Sequence, residues 1–188
     1  MAVRDIVLYP APILKQRCAP INWQEAAAVC RDLVDTLQAC PGVGVAAPQI
    51  GQAVRIIAVD VTPKNPGHGL LVLLNPELVW HEGSVTGREG CLSIPEFTAN
   101  VSRYERIRIQ ALSPQGESVT IQSSGFEAVC LQHELDHLEG ILFLDRVASL
   151  TSDVFKRKGG RPRYTIGEMA QMLHEKKSSL VESAGGQA

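Results

Sequence analysis

The chain lacks an excess of charge of either sign. Its 188 residues include 18 lysines and arginines and 20 aspartates and glutamates, so the formal net charge is only −2. A charge so close to neutrality creates no overall field that would draw the molecule to nucleic acid or to a membrane. Long hydrophobic runs are also missing. The longest apolar stretch, Leu70–Leu74, is far shorter than the about 20 residues that a membrane-spanning helix needs.

Paired cysteine motifs are absent as well. The five cysteines are odd in number and form no C-x-x-C pair, which argues against a disulfide framework or a zinc ribbon. Free thiols are typical of a reducing compartment. The opening segment, Met1–Leu14, is interrupted by Pro10 and Pro12, so it does not form the apolar part of a signal peptide. We therefore expect the protein in the cytoplasm.

Length and composition indicate one globular domain followed by a tail. Hydrophobic residues make up 45% of the chain and charged residues 20%, and no internal repeat is visible. We place the domain over residues 1–150. Residues 151–188 then form an extension with a basic segment, a helix over 166–181 and a flexible tail. The basic segment contains Lys156, Arg157, Lys158, Arg161 and Arg163.

Two helices are predicted within the domain. Residues 22–39 carry apolar side chains at three- and four-residue spacing, and Asn22 is a suitable N-cap for them. A second helix over 124–138 begins with Ser124 and Glu127, which have the spacing of a capping box. Leucines recur along one face of this second helix, so we expect it to be packed in the core.

Strand patterns occupy most of the remaining domain. Apolar runs at Val54–Val59 and Leu70–Leu74 indicate buried strands. Apolar and polar residues alternate over 106–111 and 119–122, and a turn containing Pro and Gly joins the two segments at 113–116. This pattern predicts an antiparallel hairpin with one solvent-exposed face. The predicted fold class is therefore α+β, with antiparallel strands and sheets surrounding a central helix and one helix near each end of the chain.

The central helix carries the residues with the clearest chemistry. His133 and His137 are four residues apart, so they project from one side of the helix and can hold one divalent metal ion. Glu134 points about a quarter-turn away, where it can act on a water molecule instead of binding the metal. This H-E-x-x-H pattern predicts a metal-dependent hydrolase. The alternative interpretation of the pattern is two histidines on the helix surface beside a solvated glutamate.

The third metal ligand separates the classes of hydrolase. A metzincin would need histidine three residues after Gly140, where the chain has Phe143, and a thermolysin-like protease would need a downstream glutamate nearer than Glu168. The ligand is therefore expected upstream. Cys91, as a thiolate, would complete a set of three ligands with a fourth position open. A buried apolar thiol without a ligand role is the alternative for Cys91.

Three segments, taken together and in this order, resemble the peptide deformylase family. They are Gly42–Gln49 (GVGVAAPQ), Glu89–Ser93 (EGCLS) and Gln132–His137 (QHELDH), and the opening Leu8–Leu14 is also similar. The resemblance covers roughly residues 6–147 and makes the predicted domain the catalytic domain. It implies a metal-dependent hydrolase that removes the formyl group from the N-terminal formyl-methionine of nascent polypeptides, releasing formate.

The resemblance also implies roles for individual residues. Glu134 would be the general base and then the general acid, acting on a water molecule that the metal activates. Gln49 and the backbone N–H of Leu92 would form the oxyanion hole, with an ordinary surface glutamine as the alternative for Gln49. One divalent metal ion, Fe(II) in the cell with Zn(II), Ni(II) or Co(II) also accepted, would be bound by Cys91, His133 and His137.

Substrate binding is implied for a further group of residues. The family binds its peptide as an added strand and takes the methionine side chain into an apolar pocket, with simple core packing as the alternative for Phe126. Thr98 stands where some bacterial members have arginine, so a substrate contact from that arginine is not expected here. Glu89 is expected to pair with Arg103. The implied substrate-binding residues are Val43, Gly44, Gly90, Phe126 and Val129.

Three other functions fit parts of the sequence. Gly42–Ala47 matches the dinucleotide motif G-x-G-x-x-A, but it follows a helix and leaves no room for the helix that NAD binding requires. A metallopeptidase acting on internal bonds would lack its downstream ligand. A structural metal site would need a fourth protein ligand. We therefore expect formyl-methionyl nascent polypeptides as substrates and no NAD. The basic extension is interpreted as a contact for ribosomal RNA, with an ordinary solvated tail as the alternative.

Overall fold

The computed structural model describes residues 3–157 together with residues 165, 167, 168 and 171. Within this described part, two α-helices and eight β-strands follow one another along the chain. The helices are α1 (Ala27–Ala39) and α2 (Gly125–Leu138). The strands are β1 (Gly44–Ala46), β2 (Ile56–Val59), β3 (Leu71–Glu82), β4 (Val85–Cys91), β5 (Ile94–Arg103), β6 (Arg106–Leu112), β7 (Ser118–Ser124) and β8 (Val154–Lys156).

Two antiparallel sheets make up the strand part of the fold. Five strands form the larger sheet in the order β1-β2-β3-β6-β7, and three form the smaller sheet in the order β4-β5-β8. Each of these pairings is antiparallel. The predicted α+β class, with antiparallel sheets around a central helix, is confirmed. Among the described residues, no helix is long and apolar enough to cross a membrane.

The two helices pack on opposite faces of the larger sheet. Strand β2 is buried on both sides: Ile56 contributes to the cluster of α1, whereas Ile57 contributes to the cluster of α2. In the second cluster Leu131 and Leu138 of α2 are buried together with Ile109 of β6. Each such side chain contributes about 1.5–3 kcal/mol when it is fully buried. This packing holds α2 in a single position on the sheet.

The burial of α2 extends well beyond its apolar face. Ten of its fourteen residues are buried, and six of those ten are polar or charged. A polar side chain loses its hydration when it is buried, so it destabilises the fold unless a partner or a ligand replaces the water. The six are Glu127, Gln132, His133, Glu134, Asp136 and His137, and the chemistry of the molecule is concentrated among them.

Both predicted helices are present, but their first turns differ from the prediction. Asn22 caps a short 3-10 turn, Trp23–Glu25, and α1 begins only at Ala27. The turn is solvent-exposed, and continuous packing against the sheet starts with the buried Ala26. For this reason the α-helical hydrogen bonding also starts there. The boundaries of α2 agree with the prediction.

The predicted capping box of α2 is wrong. Ser124 occupies the N-cap position, but its side chain makes no capping hydrogen bond. The Glu127 carboxylate instead accepts hydrogen bonds from Ser123 Oγ at 2.7 Å and from the backbone N–H of His68 at 2.8 Å. Glu127 therefore attaches the start of the helix to the loop before β3, which is a tertiary contact that local spacing does not reveal.

The hairpin β6–β7 and the strand at 54–59 agree with the prediction, whereas the other strands are underestimated. Strand β3 continues to Glu82 because its polar second half pairs with β6. The smaller sheet was not predicted at all, since Gly87, Gly90 and Pro95 weaken the strand pattern. It is held instead by alternate residues of β5, such as Phe97, which enter a core cluster.

The predicted helix 166–181 and the predicted tail lie almost entirely outside the described residues. Thr165 Oγ1 accepts from the backbone N–H of Glu168 at 3.1 Å, and the Glu168 carboxylate accepts from the backbone N–H of Thr165 at 2.6 Å. This reciprocal pair is a capping box at the start of the predicted helix. Residues 151–157 are not a separate unit, because β8 pairs with β5.

Candidate active site

The three predicted metal ligands meet between α2 and the end of β4. The potential ligand atoms of Cys91, His133 and His137 all lie within 4.8 Å of one another, and all three residues are buried. Cys91 Sγ is 3.3 Å from His137 Nε2. Two local features bring them together. The histidines share a helix face through their four-residue spacing, and the β4–β5 pairing is irregular between Gly90 and Cys91.

A line of charged side chains begins at His133 and holds its ring in place. It runs from Glu89 through Arg103 and Asp136 to Arg146. His133 Nδ1 is hydrogen-bonded to the Glu89 carboxylate at 2.8 Å, which leaves Nε2 directed to the site. Arg103 binds both oxygens of Glu89, at 2.8 and 3.0 Å. Arg103 also pairs with Asp136, which in turn pairs with Arg146 at the surface. The Glu89–Arg103 pair agrees with the prediction, whereas Asp136 and Arg146 were missed.

The charges in this line stabilise one another. Burial alone would raise the pKa of Glu89, but hydrogen bonds from His133 and Arg103 lower it to about 2. Burial alone would lower the pKa of Arg103, but its two carboxylate partners raise it. Glu89 therefore stays ionised and keeps the ring orientation of His133. An imidazole ligand held in this way by a carboxylate is a common arrangement in metal sites.

The ligand cluster is suited to a cation. Burial alone would raise the pKa of Cys91, but His137 and His133 hold it well below its usual range, which favours the thiolate form. Burial alone would lower the pKa of His133, but hydrogen bonds with Cys91 and Glu89 raise it well above its usual range. The surroundings thus favour a positive charge at this point. A thiolate and two imidazoles fit a divalent transition metal.

Glu134 lies beside the cluster with a free carboxylate oxygen. Its Oε2 is buried and has no hydrogen-bond partner among the residues that the structure describes. Burial raises the pKa of Glu134, and the two neighbouring imidazoles oppose this rise. A Cβ atom on Gly44 would lie 2.4 Å from Glu134 Oε1. Only glycine therefore permits this approach between β1 and α2.

Gln49 is also directed at the cluster. It is 1% exposed, so it is not a surface glutamine. Its Oε1 accepts from the backbone N–H of Ala46 at 2.9 Å, and this bond orients the amide. Its Nε2 then donates towards Cys91 Sγ at 3.5 Å and Ser93 Oγ at 3.2 Å. Leu92 directly follows Cys91 in the chain, so its backbone N–H lies next to the cluster.

A cavity of about 670 Å³ opens onto these groups. The cluster residues Cys91 and His133 line it together with Glu134 and Gln49. Phe126 is 45% exposed there, so it does not pack in the core. The five residues implied for substrate binding all lie in the cavity wall: Val43, Gly44, Gly90, Phe126 and Val129.

The geometry weighs against the other functions. The dinucleotide-like segment Gly42–Ala47 contains strand β1 and leads into a 3-10 turn, Ala47–Ile50. It therefore offers no long helix whose N-terminus could bind a pyrophosphate. A structural metal site would need four protein ligands. Within the described part of the chain, the metal-type cluster has three.

Comparison with known proteins decides the family. The family model described as Polypeptide deformylase matches residues 3–153. The chain belongs to the peptide deformylase family. The peptide deformylase of Syntrophobacter fumaroxidans is 42% identical over 160 residues, which cover 84% of this chain and 94% of that protein. The peptide deformylase of Aquifex aeolicus is 39% identical over 178 residues, covering 93% of this chain and 99% of that protein.

Solved deformylase structures share the fold. The peptide deformylase from Legionella pneumophila matches with a TM-score of 0.75 at 30% identity, covering 95% of this chain and 98% of that chain. A class I type b peptide deformylase from Acinetobacter baumannii, in a structure with Met-Ala-Ser bound, matches with a TM-score of 0.72 at 34% identity. The latter covers 78% of this chain and 99% of that chain. The α+β fold of this chain is therefore the fold of peptide deformylases.

Proposed function

We propose that this deformylase-family chain hydrolyses the N-terminal formyl group of formyl-methionyl polypeptides and releases formate. The observation that carries the proposal is the Glu134 carboxylate. It is buried, has an oxygen without a partner among the described residues, and adjoins a Cys/His/His cluster at the floor of a cavity. A carboxylate in these surroundings accepts a proton more readily than one in water.

The metal would be held by the thiolate of Cys91 and by the ring nitrogens of His133 and His137. When bound, the divalent cation supplies Lewis acidity and lowers the pKa of a coordinated water to about 7. Glu89 fixes the tautomer of His133, because its carboxylate accepts the hydrogen of Nδ1. Three protein ligands leave one position open for chemistry.

Glu134 moves the proton in the proposed reaction. Its free Oε2 takes a proton from the attacking water and then delivers that proton to the amine that leaves. The carboxylate must be ionised to take the proton from the water, and the protonated carboxyl must then give that proton to the amine. A raised pKa suits both steps. Gly44 contributes by its lack of a side chain, which lets Glu134 reach the groove.

The proposed role of Gln49 and Leu92 is to donate hydrogen bonds to the formyl oxygen. As the formyl carbon becomes tetrahedral, its oxygen gains negative charge. The Gln49 amide, oriented through its bond from Ala46, and the backbone N–H of Leu92 would donate hydrogen bonds to this oxygen. Removing one such donor costs about 3–4 kcal/mol of transition-state stabilisation in well-studied sites.

The residues in the cavity wall are proposed to bind the substrate peptide. Val43, Gly44 and Gly90 lie on β1 and β4 or beside them, so their main chain can pair with an extended peptide as an added strand. Phe126 and Val129 project from one turn of α2 and would receive the methionine side chain. An apolar pocket with few polar groups matches an unbranched thioether side chain.

We further propose Fe(II) as the metal in the cell, with Zn(II), Ni(II) and Co(II) as functional substitutes. A thiolate with two imidazoles accepts all of these ions, so the ligands by themselves do not select one. A thiolate ligand also requires a reducing compartment, which supports the cytoplasm as the location. Metal analysis of protein purified without oxygen tests the metal. A preparation that contains only zinc would contradict the assignment to iron.

We also propose that the basic extension associates with ribosomal RNA. Its cations Lys156 and Arg157 are exposed, and three more follow in the sequence. Phosphate contacts of this kind are strongly salt-dependent. A chain that ends after residue 157 keeps β8 and loses the rest of the extension. Co-sedimentation with ribosomes across a salt series should fall for this truncated chain, and equal co-sedimentation would rule the proposal out.

Formate release tests the main proposal. The metal-loaded protein is incubated with formyl-Met-Ala-Ser, and formate and free amine are measured together. A matched incubation uses a longer peptide with an unblocked N-terminus. We expect equimolar formate and amine from the first peptide and an intact second peptide. Internal cleavage without formate would show a metallopeptidase instead.

A further inference from the structure

The substrate groove has a charged group that takes no part in the proposed catalytic and peptide-binding roles. Strand β8 pairs with β5 through Phe97 to Ala99, and the backbone N–H of Arg157 donates to the carbonyl of Glu96 at 2.9 Å. The buried Val154 anchors this strand in the core cluster of the smaller sheet. Arg157 thus occupies a position set by strand pairing, although it lies in the predicted extension.

The side chain of Arg157 lies over Gly90 in the cavity wall. Gly90 pairs with Thr98, and Thr98 pairs with Phe155, so these three residues share one face of the sheet. Arg157 follows Phe155 by two residues and shares that face. A Cβ atom on Gly90 would lie 2.5 Å from Arg157 Nη2 and 3.4 Å from Thr98 Cγ2. The glycine and the short threonine together leave room for the guanidinium.

Arg157 differs from the other arginine on this face. The guanidinium of Arg88 lies 3.5 Å from the centre of the Phe155 ring and donates to Asn100 and Thr98, at 3.1 and 3.3 Å. Arg157 has no side-chain hydrogen bond or ion pair among the residues that the structure describes, and it is exposed in the cavity. Its five N–H donors are therefore available to a ligand.

We infer that Arg157 is a substrate-binding residue that holds the peptide beyond its formyl-methionine. The guanidinium lies over Gly90, the residue before Cys91 on β4, and it lines the same cavity as Glu134 and Gln49. A peptide that pairs with this part of β4 as an added strand runs past Gly90 and advances about 3.3 Å per residue. In the inferred arrangement, main-chain carbonyl oxygens of the residues after the methionine lie within reach of the arginine side chain. Charge-assisted hydrogen bonds to such oxygens are stronger than neutral ones.

The inference rests on the proposed function, and the experiment separates the two. The full metal-loaded chain is compared with Arg157→Gln and with Arg157→Lys, which keeps the charge but loses the fork of donors. The control is Lys156→Gln, the neighbouring exposed cation of β8, whose side chain points to the opposite face by strand alternation. Thermal unfolding of every variant checks that the fold is intact.

Two measurements are made on each protein. The first is the Kd of Met-Ala-Ser amide, chosen because Met-Ala-Ser is bound in the Acinetobacter baumannii structure. The second is kcat and KM for two substrates, formyl-Met-Ala-Ser amide and formyl-methionine amide. The shorter substrate lacks the peptide residues that Arg157 is inferred to hold. We expect Arg157→Gln to raise the tripeptide Kd and KM about tenfold with kcat unchanged, as for loss of uniform binding. The short substrate and Lys156→Gln should show no change.

Three results would overturn the inference while leaving the proposed function intact. Arg157→Gln could bind the tripeptide as well as the parent chain does, or more tightly if the arginine obstructs the groove. It could also lose equal activity on both substrates, which would show a general effect on the site. Absence of formate release by the parent chain is a different failure, and it would contradict the proposed function itself.

Discussion

The proposed catalytic role of the site depends on Glu134, whose Oε2 has no hydrogen-bond partner among the described residues. We expect Glu134→Gln to keep its metal and to lose activity by about 10²–10⁴-fold, because an amide has the same shape but accepts no proton. Metal content and formate release are measured on the same sample. Glu82→Gln, an exposed glutamate paired with Arg106, is the control and should keep full activity. Unchanged activity of Glu134→Gln would refute the base role.

Gly44 contributes to the site because it has no side chain. Its φ is not in the left-handed region, so the backbone conformation does not require glycine. The requirement is space, because a methyl group there would overlap the Glu134 carboxylate. At Gly90 an added methyl group would meet the end of the flexible Arg157 side chain, so it would displace the guanidinium and not the backbone. Each glycine thus leaves space for a side chain from another element.

At the scale of elements, the charged line behind His133 links β4, β5 and α2. We expect Glu89→Gln to weaken metal binding about 10–100-fold, because a neutral amide holds the imidazole less firmly and lowers its basicity. Competition with a chelator measures the dissociation of the metal. Glu82→Gln again serves as the control, since its carboxylate is exposed and far from the cluster. Equal metal affinity in both variants would show that Glu89 serves the fold alone.

Glu127 links α2 to a loop, and its contribution depends on pH. Burial alone would raise its pKa, but hydrogen bonds from His68 and Ser123 lower it below the ordinary value of 4.5. A carboxylate with a depressed folded pKa stabilises the protein above the unfolded pKa, and this contribution is lost as pH falls through the folded pKa. We expect Glu127→Gln to lower the free energy of unfolding by about 1–3 kcal/mol at pH 5.

The pH dependence itself is the test for Glu127. Urea unfolding of the parent chain and of Glu127→Gln is compared at pH 5 and at pH 3, a range in which histidines stay protonated. The difference in unfolding free energy between the two proteins should shrink at pH 3. A difference that is the same at both pH values would show that the ionised carboxylate contributes nothing. In that case only the shape of the side chain would matter.

At the scale of the whole molecule, β8 makes the start of the extension part of the domain. Val154 is buried with Phe97 and Ala99, and burying a valine contributes about 1.5–3 kcal/mol. A chain ending after residue 153 should therefore melt about 3–12 °C below a chain ending after residue 157. Differential scanning calorimetry of both chains measures this. Equal melting temperatures would show that β8 pairs without adding stability.

Much of the fold was predictable where the signal is local. The apolar spacing of α2, the alternation of the hairpin and the apolar run before β2 each report how one element is buried. The smaller sheet was not predictable in this way, because its glycines and proline obscure the pattern and its stability comes from contacts with distant residues. The same holds for Glu127, whose partner His68 lies 59 positions away in the sequence.

The sequence by itself determined the chemistry of the site. The H-E-x-x-H spacing and the upstream candidate Cys91 required only residue types and the geometry of a helix, which are local properties, whereas the role of Gln49 came from the resemblance to the deformylase family. The tertiary structure alone decided which neighbours tune those groups. The line from His133 to Arg146, the space at Gly44 and the approach of Arg157 to Gly90 join separate elements. Such contacts depend on how strands and helix pack together, and spacing along a chain does not encode them.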